Sequence, residues 1–348
     1  MLRRIHIENF KSLQNVTLDL QRINLLIGPN NSGKSNFLKA IEFFHQRAYY
    51  EIDERNFSPA FQHKLIPIKM IFNFDTKKTA ELSLSADKTE KKLLITDDRI
   101  DAFLDLNNKD VWTSSTLKEL QTTIHYLRTY KPDPIKFSNV SDLKTEAAIN
   151  DDCSNLVPFL FNLGQNNRKS FRQIEDGLKE CVGDLVGIGT PAVEVEGVSK
   201  LRLKFFDKND NDFWADEVSE GVLYFLALLC IVHQPNPPKL LLLEEPERGI
   251  HPRRIQEVMD FIFHLAETKD IQVIMTTHHE RVVDYFADIP ESVFVFDKNE
   301  EGATQVKNLK NIIELSDAEH EKDGLPKIDF TASLGEHWAA GFMGGVPK

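Results

Sequence analysis

The chain has 348 residues, 41% hydrophobic and 28% charged, enough for two domains or one large head with an insertion, and it carries no low-complexity linker. A formal net charge of −12 argues against a generally DNA-coating protein, because non-specific duplex binding runs on basic surface and counterion release. Three cysteines build no disulfide framework, MLRRIHIENF lacks the features of a secretory signal, and no apolar run reaches the ~18 residues that cross a bilayer. A soluble, cytoplasmic chain with no membrane partner is therefore expected. Charge is uneven, however: residues 1–50 carry seven Lys/Arg against three Asp/Glu, which leaves room for a local basic face and for DNA as a partner.

In chain order, IHIENF and VTLDL alternate as strands, and INLLIG is a short apolar run ending at a glycine. SNFLKAIEFF then sets Phe37, Leu38, Ile41 and Phe44 at helical spacing. IPIKMIFNF (66–74) and AELSLSA (80–86) read as paired strands, while residues 87–123 are mixed, charged and only loosely legible. From about 140 to 186 the pattern is helical, on Leu156, Phe159, Leu160 and Leu163, then Phe171, Ile174 and Leu178. VEVEGVSKLRLKFFD (193–207) reads as a strand pair. DEVSEGVLYFLALL (216–229) opens on acids and runs into the unbroken apolar stretch Val222 to Val232, a buried helix with a polar start. After the breaker QPNPPK come the strand KLLLLEE, a helix over about 252–267, and the strands IQVIMTTHH and SVFVFD. Non-alternating apolar strands interleaved with helices predict a largely parallel sheet covered on both faces.

Gly28-Pro29-Asn30-Asn31-Ser32-Gly33-Lys34-Ser35 fits the phosphate-binding pattern G-x-x-x-x-G-K-[ST]. Its glycines let backbone N–H groups wrap phosphate oxygens, Lys34 reaches the β- and γ-phosphates, and the Ser35 hydroxyl ligates Mg²⁺. An apolar run leads in and an amphipathic helix leads out, whose N-terminus favours an anion. The candidate nucleotide contacts are Asn30, Asn31, Ser32, Gly33, Lys34, Ser35 and Asn36. Further on, the strand Lys239–Leu243 ends in Glu244-Glu245-Pro246. Such an ending can be a plain polar terminus; beside a phosphate loop it gains a task. Glu244 is assigned to the Mg²⁺ shell and Glu245 to the attacking water, the positioning that phosphoryl transfer mostly requires. IQVIMTTHH also ends in polar residues, and ligands bind at the carboxyl ends of parallel strands, so His278 is the candidate γ-phosphate sensor with His279 as bystander or stand-in.

The motif order is phosphate loop, Ser219-Glu220-Gly221 helix start, apolar strand with Glu244-Glu245-Pro246-Glu247, and strand with Thr276-Thr277-His278. That order resembles the ABC-type ATPase superfamily. IENFKSL (7–13) before GPNNSGKSNFLKAI (28–41), and LLLLEEPERGIHP (240–252), look like its RecF/SMC/OLD-like branch rather than transporter subunits. The resemblance covers most of residues 1–75 and 210–300, and NLVPFLFNL (155–163) is similar to a segment of compact, insertion-bearing members. It implies an α/β P-loop NTPase fold of ABC-ATPase type: a mixed or parallel sheet with flanking helices plus an inserted helical lobe. It also implies a homodimer or higher oligomer with ATP and Mg²⁺ at the interface, Ser219 and Gly221 of one head donating to the γ-phosphate held by the other. Arg248-Gly249-Ile250-His251-Pro252 would follow the acidic pair into that interface. Glu220 stands where the commoner signature has glycine, and Glu244 where many relatives have aspartate. Gln62 is a candidate for the glutamine between the lobes, and Lys11 is either close to the nucleotide or a plain surface lysine.

The expected division is an ATPase head of residues 1–75 and 205–310, an inserted lobe of 76–204 and a tail of 311–348. Asp210-Asn211-Asp212 has metal-pair spacing but sits in KNDND as a hairpin turn, and no Asp-x-Asp follows residue 297 to build a Toprim nuclease. A nuclease under this chain's control would then be a separate protein. In the tail, Leu334, Trp338 and Phe342 recur every four residues, either to cap the chain's own core or to dock a partner. By resemblance, the expected function is an ATP-hydrolysing switch in DNA-related work, genome defence or repair, that controls a separate effector such as a nuclease or toxin. The alternative is an ATP-dependent assembly scaffold that sequesters the effector and in which turnover is dispensable.

Overall fold

The computed structural model describes residues 1–49, 68–74, 79–84, 91–96, 101–105, 128–248, 250–326, 329–330 and 333–346. Gln62 and Gly249 lie outside the described residues. The chain forms two units, residues 1–127 with 272–348, and residues 128–271.

In the first unit, β1 (Leu2–Phe10) and β2 (Leu13–Asp19) form a hairpin with Phe10 opposite Leu13. The alternation of IHIENF appears as burial of Ile5 and Ile7, while His6 on the other face hydrogen-bonds Thr17 Oγ1 at 2.8 Å. β3 (Ile23–Ile27) is buried at every position, as a strand covered on both faces must be. It ends at the loop into α1 (Lys34–Tyr49), whose Phe37, Leu38, Ile41 and Phe44 are all buried, as their spacing predicts. Phe44 stacks on Phe72 of β4 (Ile68–Phe74), ring centroids 3.9 Å apart. β4 pairs with β5 (Thr79–Leu84), the pair expected from sequence. The stretch left loosely legible contributes two more strands, β6 (Lys91–Thr96) and β7 (Asp101–Asp105), completing an antiparallel sheet in the order β2-β1-β4-β5-β6-β7.

The second unit opens with β8 (Arg128–Tyr130), the short α2 (Pro134–Phe137) and β9 (Ser141–Asp142). The helical reading of 140–186 holds only for α3 (Leu156–Asn166) and α4 (Arg168–Cys181). Before them the Asn155 side chain accepts from Asn150 N–H and donates to Ala148 O, holding a loop where a helix was expected. After β10 (Leu185–Gly189), the segment read as a strand pair makes three strands in two sheets. β11 (Ala192–Val195) and β12 (Val198–Leu201) turn on Glu196-Gly197, both at positive φ as two-residue hairpins require. β13 (Lys204–Asp207) pairs with β10 and with β14 (Asp212–Trp214). KNDND is the hairpin turn: Asp207 Oδ1 accepts N–H from Asn209 and Asn211, and no metal-holding cluster of His, Cys, Asp or Glu occurs among the described residues.

α5 (Glu220–His233) is the axis of this unit, buried from Gly221 through Val232. Gly177 of α4 admits it closely: a methyl there would lie 2.5 Å from Leu229 Cδ2. Phe225 meets Phe261 of α6 (Ile255–Thr268) edge to face at 5.2 Å. β15 (Leu240–Glu244) runs parallel to β8, with Leu242 beside Thr129 and its four leucines buried.

The chain then returns to the first unit. β16 (Gln272–Thr276) is buried throughout and parallel to β3; α7 (Glu280–Asp284) follows. β17 (Val293–Lys298) is parallel to β3 on its other side, and β18 (Thr304–Asn308) is antiparallel to β17. α8 (Leu309–Lys322) and α9 (Leu334–Ala339) are the last described helices. Leu334 and Trp338 of the tail repeat are buried, while Phe342 is 67% exposed, so the four-residue pattern is split between core and solvent. No described helix is long and apolar enough to cross a membrane.

Candidate nucleotide-binding site

The loop from β3 to α1 is pressed against β17 and β18. Gly28 and Gly33 take φ of +143° and +114°. A methyl on Gly28 would lie 2.2 Å from Phe296 O, and one on Gly33 would lie 2.2 Å from Thr304 Oγ1. Thr304 gives its hydroxyl proton to Ser32 O at 2.9 Å, so the 2.8 Å contact between Ser12 Oγ and Thr304 Oγ1 has Ser12 as donor. Asn36 Nδ2 in turn donates to Ser12 Oγ at 2.9 Å. The β1–β2 turn and the start of β18 thereby clamp the C-terminal end of the loop, while β17 walls its first glycine.

Lys34 is only 5% exposed, and its ammonium donates to Gly28 O at 2.7 Å and Pro29 O at 3.0 Å. Ser32 Oγ is buried and makes no hydrogen bond. Asn30 and Asn31 are exposed at the loop tip, with Asn31 at φ +66°, while Ser35 and Asn36 are half-buried in the first turn of α1. The leading N–H groups of a helix have no acceptor within it. An ammonium, a helix N-terminus and hydroxyls gathered on one loop are donors for an anion, so the residues present fit the phosphates of a nucleotide and, through Ser35, an accompanying cation. Lys11 takes φ +51° in the β1–β2 turn, next to Ser12. Burial first, then Lys39, holds its ammonium below the usual lysine pKa, against an opposing pull from Glu42.

β16 delivers its histidines at the same sheet edge as this loop: Thr276 is in register with Leu26, and Thr277 N–H reaches Leu26 O at 3.3 Å. His279 is used locally. Its Nδ1 accepts from Arg281 N–H at 3.2 Å to cap α7, and its own N–H donates to Thr277 Oγ1 at 2.9 Å. His278 is the exposed member of the pair.

In the second unit, Glu244 closes β15 and places Oε2 3.2 Å from Lys131 Nζ. Both side chains are partly exposed, so solvent screens the pair. Glu245 takes φ +51°, a left-handed conformation that costs a residue with a Cβ about 1–2 kcal/mol. Successive strand residues point to opposite faces, and this turn frees Glu245 from that alternation. Arg248 N–H closes the turn on Glu245 O at 3.0 Å, and Arg248 Nη1 lies 3.7 Å from Glu245 Oε2. Ser219 occupies the cap position of α5 without a side-chain cap bond; its Oγ accepts instead from Arg254 Nη1 at 3.3 Å. Ser219 and Glu220 are exposed, and Gly221 is buried with room for a methyl 3.5 Å from Arg254 Cδ.

Sequence reasoning missed Thr304, Ser12, Lys131 and Arg254. For Thr304 a signal existed: Gly302, at φ +79°, precedes the alternating TQVKN and marks a hairpin after SVFVFD. Arg254 and Lys131 carry no local signature, because only folding brings them to Ser219 and Glu244.

Two family descriptions match the chain: "AAA ATPase domain" over residues 1–167, and "AAA domain, putative AbiEii toxin, Type IV TA system" over residues 160–284. An OLD nuclease of Thermus scotoductus is 22% identical over 327 residues, covering 80% of this chain and 59% of that protein. The energy-coupling factor transporter ATP-binding protein EcfA2 of Streptococcus agalactiae is 27% identical over 162 residues, covering 44% of this chain and 53% of that protein. The chain thus spans between half and two thirds of the length of these two curated relatives. Among solved structures, the SMC head domain from Thermotoga maritima superposes with a TM-score of 0.55 at 12% identity, over 88% of this chain and 98% of that one. An SMC head bound to the C-terminal winged-helix domain of ScpA gives a TM-score of 0.57 at 15% identity, over 90% and 99%. Those likenesses carry the fold, an α/β P-loop NTPase with mixed sheets and flanking helices. Together, the family matches, the likeness to an OLD nuclease and the fold shared with SMC heads support an ABC-type ATPase similar to the RecF/SMC/OLD-like branch.

Proposed function

We propose that this protein binds ATP with Mg²⁺ on the loop from Gly28 to Ser35, dimerises around the nucleotide, and hydrolyses it slowly as a switch. The work it switches is DNA-related, genome defence or repair, and is executed by a separate effector such as a nuclease or toxin. The observation that carries this reading is the buried Lys34 ammonium folded onto Gly28 O and Pro29 O, beside the unbonded Ser32 hydroxyl and at the head of a 16-residue helix. A phosphate oxygen offers Lys34 a charge-assisted partner stronger than two neutral carbonyls.

Within this reading Ser35 and Glu244 hold the metal, which when bound supplies neutralisation of phosphate charge. Glu245 positions water, His278 reads the γ-phosphate, and Ser219 with Gly221 of a second copy completes the site. The DNA-related role draws support from the likeness to an OLD nuclease, and the oligomer from the ABC-type family. The test is ATP turnover together with mass in solution, with and without ATP–Mg²⁺, for the unaltered chain and Lys34→Ala. Turnover and an ATP-dependent doubling of mass are expected, both lost in the variant; an unaltered chain that binds no ATP sinks the proposal.

A further inference from the structure

The tail segment 333–346 reaches the phosphate loop. α9 is anchored on α7, the helix that begins just after His278-His279: Gly335 N–H donates to Asp284 Oδ1 at 2.7 Å, and a methyl on Gly335 would lie 2.3 Å from Glu280 O. Beyond α9 the chain doubles back through Gly341, Gly344 and Gly345, all at positive φ, with Met343 buried. Trp338 Nε1 then donates to Gly345 O at 3.3 Å. A methyl on Gly345 would lie 2.5 Å from Val295 Cγ1, 3.4 Å from Phe296 O and 3.5 Å from Gly28 Cα. Phe296 O is also the atom that forbids a side chain on Gly28. One carbonyl of β17 therefore lies against both the first glycine of the phosphate loop and a glycine of the tail.

We infer that residues 333–346 form a strap that positions the phosphate loop and ties it to the helix following His278, so that ATP binding and strap docking stabilise each other. The inference rests on the nucleotide-site reading above. Gly28 sits at φ +143°, a backbone state open to few residues, and a wall against its Cα restricts the loop to that state before a ligand arrives. A loop held ready loses less freedom on binding, so its affinity is higher. By reciprocity, a bound nucleotide tightens the strap by the same factor. Gly345→Val places a branched side chain against Val295 and pushes the strap off; Trp338→Phe keeps the ring but removes its bond to Gly345 O.

The experiment measures ATP affinity and turnover of the full chain, and hydrogen exchange of residues 334–346 with and without ATP–Mg²⁺. Gly345→Val should weaken ATP binding about tenfold, raising KM while kcat at saturation stays within about twofold, with Trp338→Phe showing a smaller shift in the same direction. In the unaltered chain ATP should slow exchange in the strap, a readout that needs no variant to fold. Unchanged exchange on ATP binding, or a fall in kcat at constant KM, overturns the strap while leaving the nucleotide site standing. Absence of ATP binding by the unaltered chain overturns both.

Discussion

The Arg254 guanidinium donates to Ser219 Oγ at 3.3 Å, ahead of the first turn of α5. A hydroxyl has one proton and two lone pairs; with Arg254 on a lone pair, the proton is left to donate. That is the polarity the proposed contact with a second copy's γ-phosphate requires. Ser219→Ala should therefore lower ATP-dependent dimer formation and kcat by about tenfold or more, the effect of losing a donor to a charged group. ATP affinity of the monomer should not change. Arg254→Ala should give a weaker form of the same defect, and because the pair is exposed its effect on folding stability should stay within about 1 kcal/mol. Sedimentation with ATP and steady-state turnover read both; a Ser219→Ala protein that dimerises and turns over normally removes the signature segment from the site.

Glu245 holds a left-handed turn with its carboxylate 3.7 Å from Arg248. Glutamine keeps the length and shape of the side chain but cannot take a proton from water. Glu245→Gln should lower kcat by roughly 10²–10⁴-fold, the range for losing a positioned base, and should accumulate ATP-bound dimers. Mass in solution under ATP, followed over time, detects the trapped species. Cellular function that survives this substitution would favour the scaffold alternative, in which nucleotide occupancy matters and turnover does not.

Thr304 is the least obvious determinant of the phosphate loop. Its hydroxyl donates to Ser32 O and accepts from Ser12, and the residue is 1% exposed. Thr304→Val preserves shape and leaves both partners buried without it, which costs about 1–3 kcal/mol for such unsatisfied groups. The expected outcome is a lower denaturant midpoint and weaker ATP binding together, with Thr304→Ser restoring most of both. Stability lost without any change in affinity would make the clamp purely structural.

Elements whose pattern follows from burial were legible in the sequence. The predominantly apolar β3, β15 and β16, the helical stripe of α1 and the unbroken hydrocarbon of α5 each stand where the spacing put them, because two-sided cover favours apolar runs over alternation. β6, β7 and β18 were missed, being short strands rich in charged and polar residues whose identity is set by their neighbours' hydrogen bonds. In the candidate site, the loop and both strand ends were readable because the chemistry fixes residue types at fixed spacing. The supports were not: Thr304 lies 272 residues from Ser32, and Gly345 still further from Gly28. The local duty of His279, whose Nδ1 caps α7, likewise carried no signal in the sequence beyond its place beside His278.

His233 closes α5 in the second unit, where burial first and then Lys269 push its imidazole down to about 4 from an ordinary 6.5. In the unfolded chain the same group takes up its proton as pH falls through the ordinary value. Between pH 6.5 and about 4 the unfolded state thus binds more protons than the folded one, and stability falls as pH falls across that window. Above the window both states are neutral at this residue, and below it both are charged, so neither side adds a further slope. His233→Gln removes the titration while keeping a polar side chain at the helix end. Melting temperature should decline less steeply in the variant than in the unaltered chain across that window, with the two curves parallel at higher pH. Parallel curves throughout would mean that His233 reaches solvent more freely than its burial in the fold implies.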